Sequence, residues 1–260
     1  MNDFDETEEE YDDGRPHPMH KLAKIIGPIF TCTCLLVTLL IFLRICSQNK
    51  IPTEIDRLMV NDKILNATAE DNELTVIYQD LHIYSDERDV RRDENGKKIA
   101  NAGKAYFAVP KAIFITDADQ LQLILRYNNS TLKYLAEDYA DICPEIPDRN
   151  EDVYDITVIK VTDLTPDDDT DNDVPARLAE ERFNVSDVKR AESGLHNFRR
   201  LTFDGIDLEG ALKVYLCIYY KGDVDYGEDP YATVILYDSQ KPVLNYQLTK
   251  NDREALVSAK

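Results

Sequence analysis

The chain has 260 residues, a net charge of −20, five cysteines and no tryptophan. So acidic a chain is repelled by nucleic acid and by anionic lipid headgroups, which sets both aside as partners. Only Cys143 and Cys217 lie beyond residue 50, too few for a disulfide-stapled scaffold.

Residues 1–24 form an acidic tail of low apolar content, a composition that favours disorder. The next stretch, Ile25–Leu43, reads IIGPIFTCTCLLVTLLIFL without a charge. As a helix it spans roughly 29 Å, about the hydrocarbon thickness of a bilayer. Its apolar residues run all round the helix, whereas a surface helix would show one stripe. Gly27 and Pro28 are placed in its first turns, where proline costs least. The acidic tail before it, and the bulky Arg44-Ile45 before Cys46, argue against a cleaved signal peptide or a lipidated cysteine. Cys32 and Cys34 lack partner ligands nearby and read as packing thiols.

The expected organisation is a tail over 1–24, a transmembrane helix over 25–45, a stalk or linker over 46–72, a β-domain over 73–248 and a short helix or tail over 249–260. Arg15, Lys21 and Lys24 precede the span, and Arg44, Lys50 and Arg57 follow it, so the count of flanking cations is tied. Lys21 and Lys24 adjoin the span directly. They place the N-terminus inside and the domain on the extracytoplasmic face of the membrane.

Thr53 opens a short helix carrying Ile55, Leu58, Met59 and Leu65 on one face, either a stalk or the first element of the domain. Asn66–Asp71 reads as linker. Asn66, Asn128, Asn129 and Asn184 each begin an Asn-x-Ser/Thr triplet, which matters only in a glycosylating host. From Leu74 the period changes to two, the mark of strands. Asn95-Gly96 signals a two-residue hairpin turn. Tyr106–Thr116 is a strand in which Pro110 requires an edge or a bulge. Asp117-Ala118-Asp119 turns the chain, and Leu121, Leu123, Leu125 and Tyr127 form one face of the next strand.

Thr131–Asp141 is a helix, capped by Asn129 or Ser130 and stopped by Pro144 and Pro147. Val153–Val161 returns to strand. Residues 162–194 read as a long polar loop with one short helix near Ala176–Arg182. Phe198–Phe203, Leu212–Tyr220 and Thr233–Tyr237 are strands, and Asn245–Leu248 closes the sheet. In the second of these, Leu212, Val214, Leu216, Ile218 and Tyr220 face one way. Thr249 caps a C-terminal helix. About eight strands without a βαβ pattern predict an antiparallel β-sandwich, Ig-like or jelly-roll-like, with one or two short helices.

Two features point to ligands. Asp167, Asp169, Asp171 and Asp173 alternate as carboxylates do around a calcium ion. Asn172 and Leu178 stand where such a loop needs glycine and glutamate. Asp223–Asp229 is a shorter acidic run. Tyr215, Tyr219, Tyr226 and Tyr231 cluster in sequence near one strand, and exposed tyrosines can stack on sugars or anchor a protein interface. His82 and His196 read as structural or solvated rather than catalytic. Cys143 and Cys217 could pair outside the cytoplasm, although Cys217 sits mid-strand, where a buried thiol is normal. No G-x-S-x-G, H-E-x-x-H, glycine-rich phosphate loop or C-x-x-C is present. The sequence therefore reads as a non-catalytic binding or structural module at the membrane, with a cell-surface protein or glycan as its possible ligand. The alternatives are a calcium-dependent carbohydrate-binding domain and an acidic scaffold on the cytoplasmic membrane face.

Overall fold

The computed structural model describes residues 18–48, 50–71, 74–81, 107–149, 151–163, 178–223 and 230–259. Asn95-Gly96 and His82 lie outside them. The chain divides into two compact units, Met1–Gln48 and Asn49–Lys260.

Among the described residues, the first unit is the helix α1 (Pro18–Gln48). It starts before the apolar run, so Pro28 lies inside the helix rather than in its first turns. Ile26–Arg44 is long and apolar enough to cross a membrane, and none of it is buried. Three threonine hydroxyls turn inward along it. Thr31, Thr33 and Thr38 donate to the carbonyls of Gly27, Ile29 and Cys34 at 2.9, 2.8 and 2.8 Å. Each hydroxyl is thereby satisfied within the helix, as an apolar solvent requires.

The second unit is mainly β, with two antiparallel sheets among the described residues. The larger sheet holds β1 (Val76–Tyr78), β2 (Ala108–Ile115), β3 (Gln120–Asn128), β6 (Asp187–Ser193), β7 (His196–Asp204) and β10 (Leu244–Asn245), in the order β10-β1-β2-β3-β7-β6. The smaller sheet holds β4 (Tyr154–Asp163), β5 (Leu178–Asn184), β8 (Ala211–Tyr220) and β9 (Ala232–Asp238), in the order β5-β4-β8-β9. The sandwich expected from the period-two segments is present. Its core comes from alternate residues of facing strands, such as Leu121, Leu123 and Leu125 against Val158, Val214, Leu216 and Ile218. Pro110 sits at a bulge, because the β2–β3 register shifts between Ala108 and Lys111. Leu212 departs from its expected face. A register shift in the β4–β8 ladder turns Ala211 into the core instead.

Two corrections concern polar segments. Residues 178–193 form β5 and β6 rather than loop or helix. Both are edge strands, and LAEERFN and DVKRAES carry charge on both faces. Such charge protects an open edge and erases the alternation that marks a half-buried strand. Asn66–Asp71, read as linker, belongs to α3 (Asp62–Asp71), which follows α2 (Thr53–Asp56). Ile55, Leu58 and Ile64 from this region are buried. They pack on Val76, Ile113, Ile115, Ile124 and Phe198, so they cover the outer face of the larger sheet.

α5 (Lys250–Ala259) completes that cover. Its N-terminus is fixed by a reciprocal cap. The Thr249 hydroxyl donates to Asp252 at 2.8 Å and accepts from the Asp252 amide at 3.2 Å. Asp252 is fully buried and also accepts from the Leu58 amide at 2.7 Å and the Tyr246 hydroxyl at 3.0 Å. Lys111 stands 3.9 Å from it and 3.3 Å from Asp56. Burial pushes the Asp252 carboxyl up, but the Thr249 bonds, the Lys111 charge and the Tyr246 bond outweigh it and hold it low.

Beside this carboxylate lies Arg200, also fully buried, which donates to Gln122 Oε1 at 2.7 Å. Gln122 in turn bonds both the amide and the carbonyl of Met59, at 3.0 and 2.6 Å. One polar chain thus ties the residue 53–71 segment and α5 to the centre of the sheet.

α4 (Asn129–Asp138) lies where a helix was expected over Thr131–Asp141, but it starts and ends earlier, and Asn128 provides the cap, accepting from the Thr131 amide at 3.1 Å. Cys143 and Cys217 are both free and buried. Cys143 joins the inter-sheet core, while Cys217 alternates with Leu216 and Ile218 and so faces the other way.

Candidate functional site

The β6–β7 hairpin builds the most chemically distinctive surface of the domain. Ser193 pairs with His196, leaving Gly194 and Leu195 as a two-residue loop. Gly194 has φ +58°, the left-handed value a tight hairpin turn takes at its first position. This register sets Arg190 opposite Arg199 and Glu192 opposite Asn197. Like charges directly opposite on a ladder repel, so the pair needs an anion.

Asp152, just before β4, supplies it. Its carboxylate takes Arg199 at 2.5 Å, Lys221 at 2.8 Å and Arg190 at 3.1 Å. Burial raises the Asp152 carboxyl, but hydrogen bonds and charge from Lys221 and Arg199 hold it below the usual carboxylate range. Arg149 is the third guanidinium. It donates to the carbonyls of Gly194 and His196 at 3.3 and 3.4 Å and to Asn197 Oδ1 at 3.4 Å. Glu192 lies 3.6 Å from it. Arg199 also sits over the Tyr127 ring, 5.3 Å from its centroid.

These groups line a recess of about 310 Å³ bounded by Tyr127, Arg149, Arg190, Glu192, Asn197 and Arg199. Below it the inter-sheet core is aromatic. Phe107 meets Tyr154 edge-on at 5.1 Å, and Tyr127 meets Tyr154 at 5.5 Å. The Asn197 Nδ2 donor is buried without a hydrogen-bond partner among the described residues. His196 packs edge-on against Phe198, and its imidazole is pushed down by burial, then by the charges of Arg126 and Arg149. The recess offers guanidiniums, an amide and a ring face, groups that bind charge rather than attack a bond.

A larger groove of about 460 Å³ runs along β2 past Tyr78, Pro110, Lys111 and Tyr246. Its cations are Arg126 and Lys111, of which Lys111 already donates to Asp56 O at 2.8 Å. The arginine recess gathers more guanidiniums in a smaller volume.

Asp167, Asp169, Asp171 and Asp173 lie outside the described residues, as does Tyr226. Among the described residues no cluster of His, Cys, Asp and Glu could hold a metal ion. The tyrosines singled out in the sequence are placed differently from one another. Tyr219 is buried, Tyr215 is half-buried, and Tyr231 joins Phe107, Tyr139 and Tyr154 in the aromatic group. The Tyr231 hydroxyl donates to Asp138 at 3.1 Å. Tyr231 thus serves packing.

Sequence reasoning missed the recess because it read 162–194 as loop. Gly194 between two charged runs was the available hairpin signal, and pairing through it brings Arg190 onto Arg199. Compared with known proteins, the chain matches no family model, no curated protein and no solved structure.

Proposed function

We propose that this is a single-pass membrane protein that presents a non-catalytic β-sandwich binding module outside the cytoplasm. The observation that carries the reading is α1. Ile26–Arg44 exposes its whole apolar surface, and the second unit has a core of its own. An apolar surface of that size needs a cover, and a bilayer matches its length. The inward-bonded threonines fit the same solvent. The acidic surface keeps the module soluble beside the membrane.

The test is extraction. Wild-type protein is expected to stay with membranes in alkaline carbonate. A Leu36→Arg, Leu40→Arg variant is expected to move to the soluble fraction, since each mid-span arginine costs roughly 2.5–3.5 kcal/mol. Release of the wild type by carbonate would overturn the reading. The alternative of an acidic scaffold on the cytoplasmic face is left open by the tied flanking charges, and topology separates the two.

A further inference from the structure

We propose that the recess between Arg149, Arg190 and Arg199 is an oxyanion-binding site. Its ligand is a small molecule carrying one phosphate, sulfate or carboxylate group. The assignment does not depend on the membrane reading.

Three observations converge. The first is charge. In a chain of net charge −20, the recess gathers three guanidiniums against one lining carboxylate, Glu192. Asp152 supports it from the side but meets three cations at once, so it leaves an excess of positive charge. The second is geometry. The Arg199 side chain is only 6% exposed, held by Asp152, the Glu151 carbonyl and the Tyr127 face. Arg149 is oriented by the backbone carbonyls of Gly194 and His196, which fix the guanidinium, with Glu192 3.6 Å away. Rigid, partly desolvated guanidiniums are suited to bidentate capture of an oxyanion.

The third observation is an unused donor. Asn197 is 4% exposed, and its Oδ1 is committed to Arg149. Its Nδ2 is buried and without a hydrogen-bond partner among the described residues. A donor in that state has a cost that an acceptor from a ligand would remove. A volume of about 310 Å³ admits an oxyanion and a small body, at the low end of ligand pockets.

The experiment uses the full chain in phosphatidylcholine nanodiscs. Inorganic phosphate, sodium sulfate and sodium acetate are titrated at ionic strength held constant with chloride. Binding is read by equilibrium dialysis and by the thermal midpoint. Saturable binding of at least one oxyanion is expected, with a raised midpoint. Preference for phosphate and sulfate over acetate assigns a tetrahedral group, and the reverse assigns a carboxylate.

Arg190→Ala and Arg149→Ala are each expected to weaken binding by about tenfold or more. Arg190 is half exposed, so its loss leaves the core intact, and Arg190→Gln serves as a second variant. A purely structural cluster would lower the midpoint equally with and without oxyanion. That result, oxyanions no better than chloride, or arginine variants that bind like wild type would each overturn the proposal.

Discussion

Replacing Asp252 with alanine is expected to destabilise the domain by about 3–5 kcal/mol, the range for stripping one partner from a buried charged network. The carboxylate takes the Leu58 amide, the Thr249 amide and hydroxyl, and the Tyr246 hydroxyl. Its removal orphans buried donors and leaves Lys111 and the fully buried Arg200 facing less negative charge. Burial already pushes the Arg200 guanidinium down to about 10, and Asp252 is the first anion opposing that shift. Urea unfolding of the full chain in detergent, wild type against variant, measures the loss. Asp252→Asn should fall between the two, because it keeps the size and some hydrogen bonds.

The same residue fixes a pH dependence. Its folded pKa lies below the unfolded value of about 3.9. The stability it contributes is therefore complete above pH 4 and is lost as pH falls through the folded pKa. Asp152 has the same sign. Acid unfolding should be shallower in Asp252→Asn than in wild type.

Phe107→Ala is the second large effect, about 3–5 kcal/mol by loss of buried surface and creation of a cavity. Phe107 is fully buried and contacts three tyrosine rings, with Tyr154 at 5.1 Å, Tyr127 at 6.1 Å and Tyr231 at 6.3 Å. Those rings cannot collapse freely, because Tyr127 supports Arg199 and Tyr231 donates to Asp138. The unfolding midpoint should drop without change in the denaturant slope. Phe107→Leu should lose clearly less, since it retains most of the volume.

The central strands were legible in the sequence because burial imposes alternation. β3 shows it through Leu121, Leu123 and Leu125, and β8 through Val214, Leu216 and Ile218. Pro110 forecast its bulge and Asp117–Asp119 their turn. The edge strands were illegible, since Glu180, Glu181, Lys189 and Arg190 sit where a core strand would alternate. The cover on the larger sheet was hidden for another reason. It joins residues 53–71 to 250–259, and the Leu58–Asp252 bond spans 194 positions. Nothing local to Arg200 announces that both faces of its strand are covered. The recess needs the hairpin register together with Arg149 and Asp152 from another part of the chain, so it became visible only in the fold.

Topology is the measurement that bears most directly on the proposed membrane-held module facing away from the cytoplasm. Intact cells are treated with protease and probed with antibodies to the first residues and to the domain. The account predicts that the domain is cut while the N-terminal epitope survives. A domain that resists protease until the cells are lysed would contradict it and place the acidic surface on the cytoplasmic side.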